Sequence, residues 1–205
     1  MIIDFDLLTV LIGIVLYMFI CFIISRTKKP SRPFYLFSTV FFIYIMVVIK
    51  LTLFPIIMIG LPENLSSSIN LVPFQRGVSR SDLLNILMTI PFSIILPFVS
   101  KIRNLINMSL IGFLLGFGIE LLQLAECALT GGFSMRVIDI TDVICNFLGV
   151  VIGYFILYFI AKFISITPSE KDNRYLKYSL TIMGEISKNG LFNRRVDADR
   201  KSNAV

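Results

Sequence analysis

The stretch LLTVLIGIVLYMFICFIIS, residues 7–25, decides the fold. It is 19 consecutive uncharged residues, and at about 1.5 Å of rise per residue a helix of that length crosses most of a hydrocarbon core roughly 30 Å thick. The basic segment RTKKPSR (26–32) follows it directly, as expected at the cytoplasmic edge of a span. A cleaved leader would carry positive charge ahead of the apolar run and small residues behind it, whereas Asp4 and Asp6 precede this one. The stretch is therefore read as a first transmembrane helix.

Four further apolar runs repeat the pattern: 34–59, which carries Lys50 and meets Pro55 near its end, 83–99 with Pro91 and Pro97, 104–125, and 138–161. Proline is tolerated in membrane helices whose neighbours satisfy the freed carbonyls. The composition agrees, with 56% hydrophobic residues, 16% charged and a mean hydropathy of +0.86, against about a quarter charged in a soluble domain. In lipid only helices and closed barrels satisfy their backbones, and continuous runs of this length are not the ten-residue alternation of barrel strands. The expected fold is all-α, a polytopic membrane helical bundle of about five transmembrane helices. Residues 1–165 form the membrane domain and 166–205 a basic cytoplasmic tail, with eight Lys/Arg and five Asp/Glu from Thr167 onward. Leu176, Leu180 and Met183 in that tail have the spacing of a short interfacial helix beside Arg174 and Lys177, but a solvated, flexible tail is the preferred reading.

The net charge is +6, from 19 Lys+Arg against 13 Asp+Glu. Because the basic residues lie beside the spans, nucleic acid is rejected as a partner and the lipid bilayer takes its place. Alternate connections beginning at residue 26 hold four basic residues, then Lys101 and Arg103, then the tail; the opposite connections hold only Arg76, Arg80 and Arg136. Positive charge stays on the cytoplasmic side, so the N-terminus is expected outside and the C-terminus inside. There is no histidine, which excludes Ser-His, Cys-His and HExxH chemistry. Cys21, Cys127 and Cys145 show no CxxC spacing and imply no disulfide framework.

With the orientation set, the intramembrane polar residues fall at one depth. Lys50 lies in the outer part of the second span, Asn85 at the outer start of the third, Glu120 and Gln123 near the outer end of the fourth, and Asp139, Asp142 and Asn146 at the outer start of the fifth, just after Arg136. On the fifth span Asp139, Asp142, Asn146, Gly149 and Gly153 follow steps of three and four and share one stripe, which must face protein. The fourth repeats the design with Gly112, Gly116, Glu120 and Gln123, small residues admitting close approach below and polar ones above. Pairing that merely holds helices together is the bland reading. A charge at mid-bilayer costs at least about 2.5 kcal/mol, which favours a functional one.

The motifs KLTLFP (50–55), NLVPF (70–74), NILM (85–88) followed by Pro91, ELLQ (120–123) and RVIDITDVICNFLG (136–149) resemble, in order, those of the VanZ-like family. The resemblance covers about residues 40–160; the extended C-terminal tail is the one departure. It implies a membrane protein associated with lowered susceptibility to the glycopeptide teicoplanin, and it adds Asn70 to the candidate site.

Three functions are compatible with these residues. In the first, an outward polar chamber engages a cell-wall precursor or a glycopeptide: Lys50 and Arg136 hold phosphate or carboxylate, and Asn70, Asn85, Gln123 and Asn146 supply neutral donors and acceptors. In the second, a membrane-embedded enzyme acts on a lipid-linked envelope precursor with Glu120, Asp139 and Asp142 as general acid/base groups. No cofactor is expected, although those three carboxylates are the oxygen ligands a divalent cation would use. A small-solute transporter is the third, but neither a midplane site nor an inverted repeat is visible.

Overall fold

In a computed structural model the described residues are 2–57, 69–75, 77–129, 138–164 and 173–190. Five helices are long and apolar enough to cross a membrane: α1 (Leu7–Lys28), α2 (Arg32–Leu53), α3 (Arg80–Val99), α4 (Leu105–Leu129) and α5 (Ile140–Ile164). The chain is thus an all-helical, multi-pass membrane bundle, as the apolar runs predict. A sixth helix, α6 (Arg174–Asn189), follows.

Local chemistry sets the helix ends. Asp6 caps α1 by accepting from the Thr9 N–H at 2.9 Å. Pro33 opens α2, where a missing N–H costs nothing. The helix stops at Leu53, six residues short of the expected 59, because Pro55 cannot continue the ladder. Beyond it, β2 (Ile56–Ile57) pairs antiparallel with β1 (Ile2–Ile3), so the start of the chain is tied to the end of α2. Ser79 and Asp82 form a capping box that starts α3 at Arg80.

Packing centres on α5. Gly149 and Gly153 press on α3: a methyl at Gly149 would overlap the Ile86 carbonyl and the Thr89 hydroxyl, and one at Gly153 the Ile90 carbonyl and the Ser93 hydroxyl. Gly112 and Gly116 of α4 meet Val150, Val143 and Asn146 on the other side of α5. Both small-residue stripes therefore face protein. The outer helices pack differently. The Tyr17 ring of α1 stacks on Phe42 of α2 at 4.6 Å, and the Tyr44 hydroxyl of α2 donates to the Met88 carbonyl of α3 at 2.9 Å. No residue of α1 is buried.

The expectation of a flexible tail is corrected for residues 174–189. Ile182 and Ile186 of α6 are buried with Tyr154, Leu157 and Ala161 of α5 and with Met108. Tyr178 donates to the Phe98 carbonyl at 2.6 Å, and the Leu105 N–H donates to the Gly190 carbonyl at 2.7 Å. The Tyr154 hydroxyl lies 2.8 Å from the Arg103 carbonyl and 2.7 Å from that of Gly190. Burial against the bundle supplies the order that a polar 16-residue helix lacks in isolation.

Candidate functional site

At the end of the bundle opposite α6, two short strands bring loop residues to the helix ends. β3 (Ile69–Asn70) runs parallel to β4 (Ile138–Asp139), with Asn70 opposite Asp139. The Asn70 amide donates to the Asp139 carboxylate at 2.8 Å. The other Asp139 oxygen accepts from the Thr141 N–H at 2.8 Å, and the Asp139 N–H itself donates to Glu120 at 3.1 Å. The Thr141 hydroxyl accepts from the Phe74 N–H at 3.0 Å. Asp139, through its carboxylate and its N–H, thus joins Asn70, α4 and the start of α5, and Thr141 adds Phe74.

A second set of bonds crosses from α3 to α5. The Asn85 amide donates to Asp142 at 2.7 Å, and one turn deeper the Thr89 hydroxyl donates to the Asn146 carbonyl at 2.9 Å. On the α2 side, the Gln123 amide donates to the Thr52 carbonyl at 2.9 Å.

These groups line a cavity of about 780 Å³ between α2, α3, α4 and α5, within the range of small-molecule sites. Its wall holds four carboxylates, Asp82, Glu120, Asp139 and Asp142, and no Lys or Arg among the described residues. Glu120 is 4% exposed. Asn146 is 1% exposed, and its side-chain oxygen has no hydrogen-bond partner among the described residues. On the α2–α3 side the wall is apolar, and Leu51, Leu84 and Leu87 are 59%, 55% and 61% exposed on helices that span the membrane.

Of the residues singled out in the sequence, Asn85, Glu120, Gln123, Asp139, Asp142 and Asn146 all line the cavity, and Asn70 adjoins it through Asp139. Lys50 does not join them. It is exposed on α2, its Nζ 5.8 Å from the centre of the Phe5 ring, a cation–π distance. The cause is rotational: α2 buries Val48 and Thr52, each two residues and about 200° of helix from Lys50. Arg136 lies outside the described residues. Asp82 was not foreseen as part of the site; Ser79 and Asp82 are spaced as a capping box, which starts α3 one turn earlier and puts Asp82 on the face of Asn85. Thr89 and Thr141 were likewise not singled out. Among the described residues no three Asp, Glu or Cys side chains are grouped as a metal ion requires.

Fold and cavity together define a multi-pass helical membrane protein with an acidic, amide-rich recess at one end of its bundle. Residues 41–162 match the VanZ/LLP1 family, and the chain belongs to that family. The match begins within α2 and ends within α5, so it takes in every element that lines the cavity. Comparison with curated proteins and with solved structures finds no match.

Proposed function

We propose that this VanZ-like protein holds a cell-envelope component in its polar cavity at the outer face of the membrane and thereby lowers teicoplanin susceptibility. The carrying observation is that Asn85, Glu120, Asp142 and Asn146, drawn from three helices, meet in one recess where the Asn146 side-chain oxygen has no donor among the described residues. Polar residues kept only to bind helices together end paired, because an unmet buried acceptor costs about 1–3 kcal/mol. An unmet acceptor in a cavity wall supports a ligand instead. The outward direction rests on the basic residues, which are concentrated in the sequence at 26–32, 101–103 and 171–201; of these, 26–32, 101–103 and the described helix Arg174–Asn189 lie at the opposite end of the bundle.

The test is expression of wild type, Asp142→Asn and Glu120→Gln in a susceptible Gram-positive host at matched membrane levels, with teicoplanin and vancomycin inhibitory concentrations measured in parallel. Wild type is expected to raise the teicoplanin value and both variants to abolish the rise. No rise with wild type overturns the reading.

A further inference from the structure

The hydrogen-bond balance of the cavity is uneven. Three side-chain amides in or beside the cavity already direct a hydrogen at protein acceptors: Asn85 to Asp142, Gln123 to the Thr52 carbonyl, and neighbouring Asn70 to Asp139. The acceptors outnumber them. Asp82, Glu120 and Asp142 present carboxylate oxygens, and the buried Asn146 oxygen has no donor at all among the described residues. A group that completes this wall must donate hydrogen bonds, and beside carboxylates a positively charged donor binds best.

The apolar side of the recess specifies the rest of the ligand. Leu51, Leu84 and Leu87 line the cavity and are also more than half exposed on spanning helices, so the recess is continuous with the lipid-facing surface between α2 and α3. A water-soluble amine has no use for that opening, whereas an amphiphile leaves its chains there while its headgroup reaches the carboxylates.

We infer that the cavity takes the primary-ammonium headgroup of a membrane amphiphile, with Glu120, Asp142 and Asn146 accepting from the ammonium and the acyl chains leaving between Leu51 and Leu87. This rests on the proposed reading of the cavity as a binding site and adds the class of ligand. The full chain is purified into phosphatidylglycerol nanodiscs containing equal small fractions of phosphatidylethanolamine and phosphatidylcholine with identical acyl chains, and the lipids that stay bound are counted by native mass spectrometry. The two carry the same charge and differ at the nitrogen, where three N–H donors are replaced by three methyl groups. Phosphatidylethanolamine is expected to be retained over phosphatidylcholine by about tenfold, the ratio one charge-assisted hydrogen bond sustains. Asp142→Asn and Glu120→Gln, each first checked for a wild-type helical melt, bring the ratio to about one if the inference holds.

Equal retention of the two lipids by the wild type overturns the inference, as does free ethanolamine displacing the retained lipid at the lipid's own concentration. Unchanged preference in both variants overturns it too. The inference and the reading beneath it fail separately: teicoplanin tolerance lost in the variants without any amine preference removes only the ligand class, whereas retention of neither lipid together with no tolerance removes the binding site itself.

Discussion

The Asn85 amide and the Asp142 carboxylate oxygen, 57 positions apart in the chain, are 2.7 Å from one another and join α3 to α5 at the wall of the cavity. Asn85→Leu removes that donor from a half-buried carboxylate and should cost about 1–3 kcal/mol. Asp142→Asn keeps an acceptor in the same place and should cost less. The chain has no tryptophan, so unfolding in mixed micelles is followed by circular dichroism. Equal loss in the two variants would remove the bond from the account of stability.

Glycine substitutions separate the seam from the lipid face. Gly149→Ala places a methyl against the Ile86 carbonyl and the Thr89 hydroxyl and should destabilise by about 1–3 kcal/mol, the range for overpacking. Gly118→Ala on α4 meets nothing within 4 Å and should leave the melting temperature unchanged or raise it, since alanine is the better helix former. The paired melts check both.

Docking of α6 gives a protease readout. Ile186 is fully buried, so Ile186→Asp puts an unpaired carboxylate into the core and should release the helix. Trypsin then cuts at Lys177, which is exposed but held in helix in the wild type. Tyr154→Phe removes the hydroxyl between the Arg103 and Gly190 carbonyls and should cost about 1 kcal/mol without freeing the helix. Equal cleavage of wild type and Ile186→Asp would show that the docking does not hold in the micelle.

Lys50 supplies the control for the cavity. Its side chain faces Phe5 rather than the recess, so Lys50→Ala should leave teicoplanin tolerance at the wild-type value under conditions where Asp142→Asn abolishes it. A matching loss in both would bring Lys50 into the site.

Orientation is testable by fusion. Alkaline phosphatase joined after Val205 should be inactive, and joined ahead of Asp4 behind an exported start it should be active, as the distribution of Lys and Arg requires. The reverse pattern would place the cavity on the cytoplasmic side.

The five spans were legible because hydropathy over some 20 residues is a strong local signal. So were the depth of the polar residues and the two glycine stripes, which follow from helical rise and period. The direction in which Lys50 points was not: depth comes from counting along the chain, but the face is chosen by what α2 packs against, and that is Val48 and Thr52 inward. The sixth helix was half visible. Its helical spacing was noted at Leu176, Leu180 and Met183; Met183 does pack against the core, as Tyr178 does, but the buried positions are Ile182 and Ile186, a choice made by the groove on α5. Asp82 was hidden by a boundary, since reading the helix from Leu83 left that residue in the loop.

The cavity walls differ in what it takes to move them. α3, α4 and α5 meet through glycines with backbone against side chain, where a shift of an ångström forfeits close contact along several turns. At the recess α2 meets α4 where the Gln123 amide donates to the Thr52 carbonyl, and elsewhere it leans on α3 with aromatic rings and the Tyr44 hydroxyl. The recess is therefore unequally built: close glycine contacts among three helices set its shape, and the fourth wall rests on rings, the Tyr44 hydroxyl and the Gln123–Thr52 bond, on the side that faces the membrane.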